Sequence, residues 1–348
     1  MELTTLWFVL IGVLWIGYFV LEGFDFGVGI LLPVIGTDQL RRRVLINTVG
    51  PVWDGNEVWL ITAGGATFAA FPLWYATLFS GFYLALLVIL FALIIRGVAF
   101  EYRGKRDSVR WRANWDWAIF LGSLLPALLW GVAFGNIIRG TPIDKAGNFV
   151  GNFFDLLNPY ALLGGLMTLT LFITHGAVFL ALKTGDEVRE SARGIALKVG
   201  PVAAAIAVVF LLWSQVYSNN AILSLVLALL AAVALVGGIY AVWRGRDGWA
   251  FLLTAFTIGL GTSALFAGLF PDVMRSSISD AFTLTTTNAS SQAYTLKVMT
   301  IVAVIMTPIV LVYQGWTYWV FRQRISTSMI PPEPVAGRSD DRFAGKTS

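Results

Sequence analysis

The sequence predicts an all-α polytopic membrane protein of about nine transmembrane helices, and three observations predict it. Only 13% of the 348 residues are charged and 57% are hydrophobic, whereas soluble domains carry about 25% charged residues. Apolar runs of roughly 20 residues, the length that crosses a bilayer, recur from Leu6 almost to the C-terminus, with no room for a soluble domain between them. Basic residues are also spread unevenly over the connections, as they are when one side faces the cytoplasm.

The expected spans are about 7–34, 49–71, 75–99, 115–138, 158–183, 199–217, 221–243, 249–270 and 295–321. Met1 to Thr5 lacks the basic start of a cleavable signal, and the apolar run after it is longer than a signal's, so it is expected to stay as the first helix. With the N-terminus outside, twenty of the 24 Lys and Arg fall on the cytoplasmic side and only Arg139, Lys145, Arg275 and Lys297 fall outside. The C-terminus is then cytoplasmic. The net charge of +4 is accounted for by this bias and calls for no nucleic-acid partner.

Residues 139–158 read as a long outer loop of turns, and residues 271–293 as a second one rich in Ser and Thr. Residues 1–327 are expected to form one integral-membrane unit. Residues 328–348, with Pro331, Pro332 and Pro334, are expected to be a disordered cytoplasmic tail.

One stretch stands apart from ordinary span sequence. In GPVWDGNEVWLITAGGATFAAFPLWY, Asp54 and Glu57 lie at i and i+3, which places them on one helix face. Glu22 and Asp25 sit in the second half of the first span, within LEGFDFGVG. If the first two spans are antiparallel neighbours, all four carboxylates share the cytoplasmic half of the membrane. Ionisable groups at such depth mark ion paths or tightly paired networks, and Arg96 at the end of the third span is the expected charge partner. Asn56 and Thr62 extend the polar set, although threonine in a helix usually bonds back to its own carbonyls. Glycines 23, 27 and 29, and the pair Gly64 and Gly65, suit close helix approach.

The chain has no cysteine and one histidine, His175. Disulfides, thiolate-held iron–sulfur clusters and attached c-type haem are thereby excluded. His175 is the one candidate axial haem ligand, and a donor to a backbone carbonyl is its more ordinary role. Any redox centre is therefore expected in another chain.

The motifs WDGNEVWLITAGGATFAAFP, EGFDFGVG, FSGFYLAL, RGVAFEYR, WRANWDWAIFLGS, GVAFGN and GNFFDLLNPYALLGG resemble subunit II of the cytochrome bd quinol oxidases, bacterial respiratory enzymes that reduce oxygen to water. The match is dense over about 6–185. It implies two four-helix bundles, here about 7–138 and 158–270, with a peripheral helix at 295–321, in the bacterial cytoplasmic membrane. It also implies a partner, subunit I, that carries haems b and d and the main quinol site. Subunit II would support its assembly and supply part of a cytoplasmic proton path.

On the family pattern, Asp54 in WDGN is the first choice for proton carrier and Asp25 the second, with Arg96 a charge partner. Glu57 and His175 depart from it, since an amide is common at both positions. Quinol as substrate, quinone as a structural lipid, bilayer lipid and small accessory single-span subunits are further implied ligands or partners. Two other readings of the same acids stand beside this one: a stand-alone proton-coupled transporter, and a purely structural scaffold subunit.

Overall fold

The computed structural model describes residues 2–330. Of the expected tail, residues 331–348 lie outside the described residues. Eleven α-helices make up the described chain: α1 Leu3–Ile35, α2 Gln39–Val49, α3 Trp53–Ala70, α4 Pro72–Gly81, α5 Tyr83–Tyr102, α6 Val109–Arg139, α7 Pro159–Lys183, α8 Asp186–Ser214, α9 Ala221–Trp243, α10 Asp247–Leu269 and α11 Ala293–Val320. Eight of them are long and apolar enough to cross a membrane, and α3 occupies the second expected span. The chain is an all-α multi-pass membrane protein.

Two boundaries differ from the sequence reading. The third expected span is broken at Phe82 into α4 and α5, whereas α3 stops at Phe71, where the second expected span ends, with a φ of −135° and ψ of 70° that are not helical. Pro72 explains the stop, because its ring disfavours helical geometry in the residue before it and suits the first position of the next helix. At the other end of the bundle, α8 starts at Asp186, well before the sixth expected span, with Asp186 and Glu187 in its first turn, where the helix dipole favours acids.

Side-chain caps fix the connections. Asp38 accepts from the Arg41 amide at 2.8 Å to start α2, and Asn158 accepts from the Ala161 amide at 3.0 Å to start α7, with Pro159 in the first turn. Each such cap satisfies a backbone donor that the helix cannot. Between α10 and α11 a short antiparallel pair, β1 Asp272–Met274 and β2 Leu284–Thr285, clasps the loop after α6. Thr141 donates to the Arg275 carbonyl at 3.0 Å and accepts from the Ser277 amide at 2.8 Å.

Helix α1 is the central post, packing on α3, α6, α7 and α10. Helices α7, α8, α9 and α10 close a ring of neighbours, and α5 lies against α6. The core splits along α1 into two clusters. One is built on Trp15, Tyr18, Phe19, Trp130, Phe134 and Phe172, and the other on Phe24, Phe179 and residues near the α2 turn. Helix α11 is peripheral, with Leu296 its one buried residue. It is tied down at its start by the Trp7 indole, which donates to the Leu296 carbonyl at 3.1 Å, and past its end by Lys183, which donates to the carbonyls of Phe321 and Gln323.

Candidate functional site

The site begins with two close helix crossings. A Cβ on Gly27 would stand 2.1 Å from the Phe172 carbonyl oxygen and 2.7 Å from the Gly176 Cα, so α1 touches α7 backbone to backbone. A Cβ on Gly122 would stand 2.7 Å from both the Ala92 carbonyl oxygen and the Arg96 Cβ, which presses α6 onto α5. These contacts bring Arg96 of α5 against the carboxylates of α1.

Arg96 is fully buried and donates through Nη2 to Glu22, also fully buried, and to Glu57 at 2.7 Å. Its guanidinium carbon lies 4.7 Å from the centre of the Phe26 ring, an arrangement that favours a desolvated cation. Asp25, fully buried one helical turn from Glu22, accepts from the Asn56 amide at 2.7 Å. Four buried polar atoms here have no protein partner: Glu22 Oε2, Asp25 Oδ1, and Nε and Nη1 of Arg96. Such atoms are ordinarily met by ordered water.

The four acids are therefore not equivalent. Glu22 and Glu57 share Arg96, Asp25 bonds to Asn56, and Asp54 belongs to neither set. Asp54 is exposed on the first turn of α3, on the face that also shows Val58, Ile61 and Phe68. Gly64 and Gly65, expected at a close helix contact, have no neighbour of this chain within 4 Å of a built Cβ. Thr62 bonds back to the Val58 carbonyl at 2.9 Å, the ordinary role expected of it.

A second ion cluster lies toward the α2 end. The Asp116 carboxylate accepts from Arg103 and, at 2.8 Å, from Arg42, joining α2, the turn that follows α5, and α6. A third is centred on buried Asp247 at the start of α10, which accepts from Arg189 at 2.6 Å, Arg193 at 2.8 Å and Arg324 at 3.3 Å. The second half of the chain thus holds a buried charge that its aliphatic sequence did not suggest.

His175 is buried between α1 and α10. Its Nδ1 lies 2.8 Å from the Thr254 hydroxyl, its Nε2 donates to the Val20 carbonyl at 3.1 Å, and its ring stacks on Phe251. Both nitrogens are engaged and the ring face is covered, so this residue does not fit an axial haem ligand. Among the described residues no cluster of three or more His, Asp or Glu could hold a metal ion.

Sequence reasoning missed Gln314 and Tyr318. Both reach from α11 to Asn56 Oδ1, at 3.4 Å and 2.7 Å. An amide and a phenol at i and i+4 in an otherwise apolar span were the available signal.

A multi-pass helical membrane protein with a buried acid–arginine cluster is the class that fold and site define. The family model described as cytochrome bd terminal oxidase subunit II matches residues 3–321. The chain is 43% identical over 329 residues to the cytochrome bd ubiquinol oxidase subunit 2 of Bacillus subtilis, covering 93% of this chain and 97% of that one. It is 39% identical over 359 residues to the cytochrome bd-I ubiquinol oxidase subunit 2 of Escherichia coli K12, covering 92% and 94%. A chain of the bd oxidase from Geobacillus thermodenitrificans has the same fold, with a TM-score of 0.77 at 16% identity over 92% of this chain and 99% of that one. This chain belongs to the cytochrome bd terminal oxidase subunit II family.

Proposed function

We propose that the chain is subunit II of a quinol:oxygen oxidoreductase in the bacterial cytoplasmic membrane, with its N-terminus outside. In this reading it supports the haem-bearing subunit I and passes cytoplasmic protons toward the oxygen-reducing haem there. Quinol oxidised in the partner supplies the electrons, and haems b and d carry them. Each electron given to oxygen requires one proton, and drawing that proton from the cytoplasm sustains a gradient without pumping.

The observation that carries the reading is the cluster Glu22–Arg96–Glu57, with Asp25 a turn away and polar atoms to spare. Glu22 and Glu57 share one guanidinium and Asp25 is met only by the Asn56 amide, so charge balance at that depth is reached by taking up protons, as buried unpaired charge is too costly to keep. Glu57 retains some exposure, its side chain 24% accessible, and Asp54 stands exposed beside it. A carboxylate on an apolar face at membrane depth is expected to be covered by protein. The bare Gly64 and Gly65 on the same helix leave room for a close partner helix.

The test is Asp54→Asn and Asp25→Asn in the two-subunit complex, reading quinol-driven oxygen consumption, proton uptake and the haem spectrum together. Each variant should lose about a hundredfold or more in turnover, the scale of one lost proton-transfer group, while the haems remain. Full turnover in a correctly assembled pair of variants overturns the proton-path reading. Loss of the haems leaves the scaffold role in its place.

A further inference from the structure

A chain of amide and phenol groups reaches Asp25 from α11, and its direction is fixed from one end. The Trp59 indole can only donate, and it donates to Gln314 Oε1 at 2.9 Å. The Gln314 amide nitrogen is thereby turned toward Asn56 Oδ1, 3.4 Å away. The Tyr318 hydroxyl donates to that same oxygen at 2.7 Å. With two donors on its carbonyl, Asn56 has its own amide nitrogen toward Asp25 Oδ2 at 2.7 Å. A flipped amide would set its carbonyl against a carboxyl oxygen and its hydrogens against those of Gln314.

Attachment of α11 does not require this chain of bonds. Trp7 holds the start of the helix and Lys183 the segment after it, and nearly all of its apolar side chains face outward. The polar pair near its C-terminal end is spent on one buried amide.

We infer that Tyr318 and Gln314 are positioning residues for Asp25. Acting through Asn56, they keep a donor on Oδ2, so that any proton Asp25 carries sits on Oδ1, the oxygen without a protein partner. The peripheral helix thus selects which oxygen of Asp25 exchanges protons. This rests on the reading of Asp25 as a proton carrier.

The experiment is infrared difference spectroscopy on the complex with the haem-bearing partner, with the Asp25 carboxyl or carboxylate band assigned by its loss in Asp25→Asn. Tyr318→Phe should move that band and lower kcat roughly tenfold, the scale of one lost hydrogen bond in the chain that ends on Asp25, with the quinol KM unchanged. 3-Fluorotyrosine at position 318, of the same shape and a stronger donor, should move the band the opposite way and keep turnover. An unmoved band in assembled Tyr318→Phe overturns the inference. Should that variant not assemble, an unmoved band in the fluorotyrosine complex overturns it alone. Full turnover in Asp25→Asn would instead sink the proton-carrier reading, and the band would still decide the amide orientation.

Discussion

Arg96 and His175 are both fully buried, yet their surroundings set them different tasks. Arg96 keeps two donor nitrogens free after binding two acids, whereas His175 has nothing left to offer. His175→Gln, which restores the amide common in the family pattern, should therefore leave the haem content of the complex unchanged. It should lower stability by about 1 kcal/mol, the net worth of a neutral hydrogen bond, read from the thermal midpoint. A loss of haem absorbance with the subunits still associated would contradict that assignment. At this scale the sequence was legible for identity but not for direction. The i, i+3 spacing of Asp54 and Glu57 put them within one face, but which of them turns inward is decided by Arg96, 39 residues beyond Glu57. Tyr318 was less legible still, because its partner Asn56 lies 262 residues away and only the folded chain brings them together.

Among the elements, α1 carries the most. Its glycines let α7 approach to backbone contact at Gly27 and Gly176, and that approach sets the depth of Glu22 and Asp25 against α5. Gly27→Leu should consequently separate α1 from α7 at a cost of 3 kcal/mol or so, since overpacking of a tight contact costs about 1–3 kcal/mol and here meets backbone. Its measure is the yield of assembled complex, and wild-type yield and midpoint would show that the crossing relaxes. Long helices were legible because uninterrupted apolar runs admit little else. The break at Phe82 between α4 and α5 was not, because Ser80 and Gly81 hardly interrupt an otherwise apolar run. The extension of α8 past the membrane was hidden for the opposite reason: its first turns are charged, and hydropathy sees only the apolar part.

As a whole molecule, the chain shows an exposed apolar surface along α3, α5, α9 and α11, with Asp54 the acid exposed on the α3 face. That surface is what a membrane subunit presents to lipid and to a partner, and the two are separable by isolation. Purified in mild detergent through a tag on this chain, it should bring down a haem-coloured partner, and Asp54→Asn should still do so. A colourless, transport-active preparation would favour the transporter reading. The all-helical, multi-pass architecture was legible from the recurring apolar runs, since these follow from the solvent and not from any one contact. The Asp247 hub and the reach of α11 were not, as each depends on segments far apart in the sequence meeting.

The placement of α1 has one further consequence. Its two acids are translated long before their counterparts, Arg96 following Glu22 by 74 residues. The newborn first helix therefore enters the translocation machinery with its ionic partners still unmade. Assembly must proceed as a vigil, with the earliest segment sheltered until α5 arrives, and a pause or chaperone that holds α1 in place for that interval would act on biogenesis without touching the finished enzyme.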